Sequence, residues 1–197
     1  MLHPLKRLGL ILSLCITPLL AQTPDDFYRE LAIAAKAIED PSIYYDPSYF
    51  SIDYPMGDIP STKGVCTDVV IRAYRKLGID LQELVHEDMR QNFTLYPSNW
   101  GLKKADSNID HRRVPNLMCF FGRKGETLVK STRAEDYQAG DIVCWSLGGG
   151  ITHIGLVLQE RSSDGLRPLL MHNIGNGQVA EDLLFDFTII GHYRYKP

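Results

Sequence analysis

Cysteine is scarce and basic clusters are missing. The 197 residues hold four cysteines, and with Cys15 inside the first 21 residues only Cys66, Cys119 and Cys144 follow. An odd number in an exported chain leaves at least one thiol without an intrachain partner, which excludes a disulfide scaffold. No run of Lys or Arg exceeds a doublet, so the basic face that a nucleic-acid partner requires is not there. Gly-x-Ser-x-Gly is absent, which excludes a serine nucleophile elbow. His-Glu-x-x-His and His-x-His are absent too, leaving His111, His153 and His172 without the spacing of a metal hydrolase. No cofactor is expected: Gly148–Gly150 and Gly175-x-Gly177 lack the strand-to-helix setting of a nucleotide loop and read as turns. There is no Ser/Gly/Pro linker, repeat or low-complexity tract.

What is present begins with Lys6 and Arg7, an apolar stretch from Leu8 to Leu20, and the small residue Ala21. This pattern predicts a secretory signal peptide over residues 1–21, and hence a periplasmic or secreted protein. Gly9, Ser13, Thr17 and Pro18 interrupt the stretch, which is shorter than the roughly 20 residues that span a bilayer, so no stable membrane anchor is expected. Leu14 stands where a lipoprotein signal needs a small residue, which sets lipidation at Cys15 aside. Without residues 1–21, 19 Lys plus Arg face 24 Asp plus Glu, a mildly acidic net −5. Residues 22–197 suit one domain, expected to be a monomer.

Phe27, Leu31, Ala35 and Ile38 recur at helical spacing after Thr23-Pro24, until Asp40-Pro41 stops the pattern. Residues 41–65, with Pro41, Pro47, Pro55, Pro60 and a run of tyrosines, read as an ordered loop. From Thr67 to Leu77, Val69, Val70, Ala73, Tyr74 and Leu77 form one apolar face, with Gly78 as the stop, so Cys66 opens a helix. Asp80 with Glu83 resembles a capping box before a further helix, and Pro115 begins a short one closed by Gly122. After Ala139 the chain changes character. Residues 141–146, 152–159, 168–174 and 187–195 read as strands, and Asn176-Gly177 as a hairpin leading to Gln178-Val179-Ala180. Helices first and an antiparallel sheet second predict an α+β domain.

A cysteine at a helix N-terminus has a reason to be reactive: the helix dipole and unpaired N–H groups favour the thiolate and can stabilise an oxyanion. The alternative is a buried thiol packing as a small hydrophobe, the expected fate of Cys144 between Val143 and Trp145. A thiol nucleophile needs a base, and the base an orienting partner. His153, in Thr152-His153-Ile154-Gly155, and His172, in Leu170-Met171-His172-Asn173, lie on strands expected to pair, which puts both imidazoles on one sheet face. One structural histidine per strand is the other reading. In Asp110-His111-Arg112-Arg113, guanidinium groups suit the bidentate binding of carboxylates, and a solvated turn capping the helix at Pro115 is the alternative.

The ordered set of a thiol opening a helix, Gly140-Asp141-Ile142-Val143-Cys144-Trp145, Thr152-His153-Ile154-Gly155 and a polar residue on a third strand resembles the NlpC-type peptidoglycan hydrolases of the papain-like clan. Tyr54-x-x-Gly57 and Gly64-x-Cys66 resemble the positions before their nucleophile, and the likeness covers residues 54–197. Around the thiol those enzymes have Asp-Cys-Ser-Gly, whereas this chain has Val65-Cys66-Thr67-Asp68. With the segment Asn108 to Asn116, this is more similar to the bacterial family catalogued as domain of unknown function 1287. The resemblance implies a papain-like fold and an acyl-enzyme route through Cys66, with His153 as base and His172, or else Asn173, as the residue that orients it. It gives Tyr54 a part in holding the substrate or the oxyanion, and the stem peptide of peptidoglycan as partner, recognised also by His111, Arg112 and Arg113. A non-catalytic cell-wall binding module on the same fold is the alternative function.

Overall fold

In the computed structural model, which describes residues 24–197, the helical spacing of Phe27, Leu31, Ala32 and Ala35 becomes helix α1 (Pro24–Lys36), with all four side chains buried. The leader assigned to residues 1–21 lies outside the described residues. Helix α2 (Cys66–Lys76) buries Val69, Val70, Ala73 and Tyr74, and Gly78 takes the left-handed conformation (φ 76°) just past its end. Asp80 caps α3 (Leu81–Gln91) by accepting from the N–H of Gln82. Helix α4 (Val114–Lys124) has Pro115 in its first turn and runs through Gly122, where the sequence predicted a stop. It ends at Gly125, where an added Cβ would stand 2.4 Å from the Arg194 carbonyl oxygen. Close approach of the chain's last strand therefore sets that boundary. No helix among the described residues is long and apolar enough to cross a membrane.

In the loop before α2, β1 (Tyr44–Tyr45) pairs in parallel with β2 (Lys63–Gly64). The main sheet contains β3 (Glu126–Thr127), β4 (Ile142–Gly148), β5 (Ile151–Arg161), β6 (Pro168–His172), β7 (Val179–Glu181) and β8 (Thr188–Arg194). Its order is β3-β8-β4-β5-β6-β7, antiparallel throughout. The β6–β7 hairpin forms, but over the wide loop 173–178; Gln178 bridges to Asp40 and leaves the ladder. The arrangement is mixed α+β, as the sequence predicted.

Strand alternation divides the sheet into two buried faces. Cys144, Ile154, Leu156 and Met171 pack with α1, α2 and α4 in the main core, which also contains Cys66. Val143, Trp145, Val157 and Leu170 pack on the other side beneath Tyr137, Leu183 and Leu184. Trp145 pairs with His153 and Cys144 with Ile154. His153 therefore shares the Trp145 face, while the next residue, Ile154, looks toward the helices.

Candidate active site

Val65 is extended (φ −126°, ψ −177°), and its N–H donates to Asp68 Oδ2 at 2.7 Å, which fixes the turn from which α2 rises at Cys66. The Asp68 carboxylate also receives a two-pronged bond from Arg112, Nε to Oδ1 at 2.9 Å and Nη2 to Oδ2 at 3.1 Å. Both side chains are almost wholly buried, 2% and 3% exposed for Arg112 and Asp68. Arg112 completes its donors with the carbonyls of Ser48 and Asp46. The expected substrate-binding Arg112 is thus a structural tie between the first turn of α2, the 3₁₀ turn Asp110–Arg112 and the loop at Asp46–Ser48.

Cys66 lines a cleft of about 180 Å³ with Tyr45, Trp100, Arg112, Arg113 and Thr152 among its walls. The sulfur is buried, and this burial, with the Asp68 charge adding to it, pushes the thiol up to about 12 against the pull of the N–H groups of Ile154, Thr67 and Cys66 itself. The helix terminus therefore supplies the expected donors, but desolvation of the thiolate outweighs them, and the free chain holds a neutral thiol. Cys144, wholly buried beside it, is likewise pushed far up by burial. The Ile154 N–H belongs to the peptide unit that joins Ile154 to His153. The sulfur thus sits beside the backbone of the expected base.

His153 is buried against Trp145, ring centroids 5.7 Å apart, and Trp145 is anchored by its Nε1–H to the Leu184 carbonyl at 3.0 Å. His153 Nε2 meets His172 Nδ1 at 3.1 Å, and His172 Nε2 meets Glu181 Oε2 at 3.0 Å. Burial holds His153 down to about 3, helped by His172, and burial lowers His172 as well, against the opposing pull of Glu181. Two neutral imidazoles carry one ring proton each, and a carboxylate only accepts. The His172 proton must then sit on Nε2, facing Glu181, and its bare Nδ1 accepts from His153 Nε2–H. That leaves the His153 Nδ1 lone pair free to take a proton.

His172, and not Asn173, is the residue that meets the His153 ring. Asn173 is buried and joins neighbouring loops: its Nδ2 donates to the Gly64 carbonyl at 3.5 Å, and its Oδ1 accepts from the Gly175 N–H at 3.0 Å. Tyr54 is placed away from the cleft, its hydroxyl donating to Glu87 at 3.2 Å and its ring edge-on to His86. Tyr45 lines the cleft instead, and burial first, Cys66 second, hold its hydroxyl above the usual tyrosine range. His111 is buried with an unpartnered Nδ1, and burial, then Arg75 and Arg112, hold it down to about 3. It is a core residue apart from the cleft walls. Among the described residues no group of three or more His, Cys, Asp or Glu is arranged to hold a metal ion. Arg113 alone of its cluster turns an unpaired guanidinium to the cleft. Sequence reasoning missed Glu181 and Trp100; the alternation that placed His172 beside His153 would have found Glu181 once the β6–β7 register was known.

The uncharacterized protein YijF of Escherichia coli (strain K12) is 49% identical over 183 residues, which are 93% of this chain and 89% of that protein. No solved structure matches the chain. The family model described as Domain of unknown function (DUF1287) matches residues 32–195, and the chain belongs to that family.

Proposed function

We propose that the chain is an exported papain-like cysteine hydrolase that cleaves an amide bond, with cell-wall peptide as its substrate class. The observations that support the reading are the Cys66 thiol at the start of α2, opening on a cleft and beside the Ile154 N–H, and the contact chain Glu181–His172–His153 on the neighbouring residue, whose ring packs on the Trp145 face of the sheet. In the proposed reaction the ring of His153, which packs on the Trp145 face in the free chain, is brought to the sulfur and takes the thiol proton on Nδ1 as the sulfur bonds to the scissile carbonyl carbon. The carbonyl oxygen gains the negative charge, which N–H groups at the start of α2 would stabilise. Collapse of that intermediate breaks the C–N bond, with the His153 proton leaving on the amine. Water, deprotonated by His153, then opens the thioester and releases a carboxylate. Because the thiol is neutral in the free chain, proton transfer accompanies attack instead of preceding it, and catalytic contacts tighten when substrate excludes water.

The same buried thiol is what favours the second reading, a cell-wall binding module. Digestion of purified sacculi by the mature chain, with products identified by mass, separates the two. New amine and carboxylate ends, lost in Cys66→Ala, support the hydrolase. Sacculus binding by both proteins without cleavage supports the module.

A further inference from the structure

Arg112 and Arg113 are neighbours in sequence with opposite surroundings. The Arg112 guanidinium is saturated by Asp68 and two carbonyls. Arg113, the residue from which α4 starts, has no acceptor within hydrogen-bond reach among the described residues, and its buried Nη1 has no partner. Its guanidinium lies over the Trp100 ring, 4.1 Å from the centroid. The nearest acids, Asp110 and Asp106, act on it only through space: Asp110 Oδ2 accepts from the Asp106 N–H and meets His86 while its Oδ1 is buried without a partner, and Asp106 bonds Tyr49 and Asn108. No Asp, Glu or Lys lines the Cys66 cleft. The cleft therefore has one cation with no hydrogen-bonded counter-ion, held over an indole and lacking, at Nη1, the acceptor that a folded protein normally supplies to a buried donor.

We propose that Arg113, resting on Trp100, is a carboxylate subsite beside the thiol, so that the substrate is a peptide with a free carboxylate close to the scissile amide. The guanidinium fork matches a carboxylate in two-pronged fashion, and an arginine stays charged even where burial lowers its pKa. Thiol and guanidinium line one cleft of about 180 Å³. At roughly 3.5 Å per extended residue, the carboxylate belongs to a residue at or next to the scissile bond. The proposal rests on Cys66 being the nucleophile.

Alkylation of the full mature chain by two small reagents tests the subsite without a known substrate. Iodoacetate carries a carboxylate and iodoacetamide does not, and peptide mapping gives the rate at each cysteine. In the unmutated chain Cys66 should show a higher iodoacetate-to-iodoacetamide ratio than Cys119. Arg113→Gln should lower the Cys66 ratio by about tenfold, the effect of one nearby charge in a partly screened cleft, and leave that of Cys119 unchanged. An unchanged Cys66 ratio overturns the subsite and leaves the nucleophile standing. A Cys66 that neither reagent reaches, while Cys119 reacts, overturns the subsite, and sacculus cleavage that persists in Cys66→Ala overturns the nucleophile reading itself. Protection of Cys144 reports that the variant is folded. Salt gives the same test with no substitution, because the iodoacetate preference of Cys66 should fall as ionic strength rises, and a preference independent of salt overturns the proposal. Competition against iodoacetamide then assigns the source of the carboxylate: acetyl-alanyl-alanine offers a chain terminus, acetyl-glutamyl-alanine amide a side chain.

Discussion

Glu181 is half-exposed on a three-residue strand, and nothing in its immediate sequence sets it apart, yet it decides where two protons sit. Its carboxylate, 3.0 Å from His172 Nε2, is the acceptor that orders the tautomers of both imidazoles. Glu181→Gln keeps the shape but replaces an obligate acceptor by a group that also donates, so either tautomer of His172 can then be satisfied. The predicted result is a fall in kcat on sacculi of about 10- to 100-fold with little change in KM, the range found when the outer partner of a functional imidazole is removed. Ring-nitrogen NMR shifts of His172 supply the readout that a purely structural role would not move: a shift from the Nε2–H form to a mixture is expected. An unaltered tautomer in the variant would show that His153 is oriented by Trp145 packing alone.

Asp68 and Arg112 show how the first turn of α2 is held. A buried ion pair broken on one side leaves the other charge desolvated, so Arg112→Met is expected to cost about 3–5 kcal/mol in urea unfolding, and Asp68→Leu with Arg112→Met to recover most of it. If Arg112 were a substrate ligand instead, the single variant would lose activity at unchanged stability. This pair also marks where the sequence stops being legible. The elements themselves were readable because apolar spacing and turn residues are local signals: α2 with its Gly78 end, and β4, β5, β6 and β8 with their alternation. The meeting of His153 with His172 was readable for the same reason, since alternation and strand pairing put both on one face. Asp68 and Arg112 are 44 residues apart with no periodic pattern linking them, and the loop that brings Tyr45, rather than Tyr54, to the cleft is irregular. Its path is set by Asp46, Ser48 and Asn108 bonds that no propensity encodes. The thiol's neutrality was illegible for another reason: a helix terminus can be read from sequence, but the depth of burial that outweighs it is a tertiary property.

For the whole molecule, the sheet encloses one imidazole, His153, and the 3₁₀ turn packed among α2, α3 and α4 another, His111; both resist protonation in the folded state, and this sets the pH tolerance. His153, facing His172, and His111, facing Arg75, Arg112 and His86 with Asp106 opposing, are each held down to about 3 from an ordinary value of 6.5. Below about 6.5 the unfolded chain binds protons at these sites that the folded chain refuses. Stability is thus fully present above about 6.5 and is lost as pH falls toward 3. Carboxylates held low by cations, Asp46 by Lys63 and Asp88 by Arg123, add a separate loss that begins only below their ordinary 3.8. At the alkaline end Cys66 has the opposite sign: the unfolded thiol ionises above about 9 while the folded one resists to about 12, so stability falls again as pH rises through that interval. The urea midpoint is therefore predicted to drop steadily from about pH 7 to about pH 4, before most carboxylates titrate. His111→Leu removes one of the buried imidazoles at nearly constant volume. It should leave stability near neutral pH within about 1.5 kcal/mol of the unmutated chain, because the ring nitrogen it deletes has no partner, and it should make the acid decline shallower. A midpoint that stays level between about pH 7 and 4.5, or an equally steep decline in the variant, would mean that the interior admits a proton at these histidines and that His153 is not confined to the neutral, proton-accepting form that the relay requires.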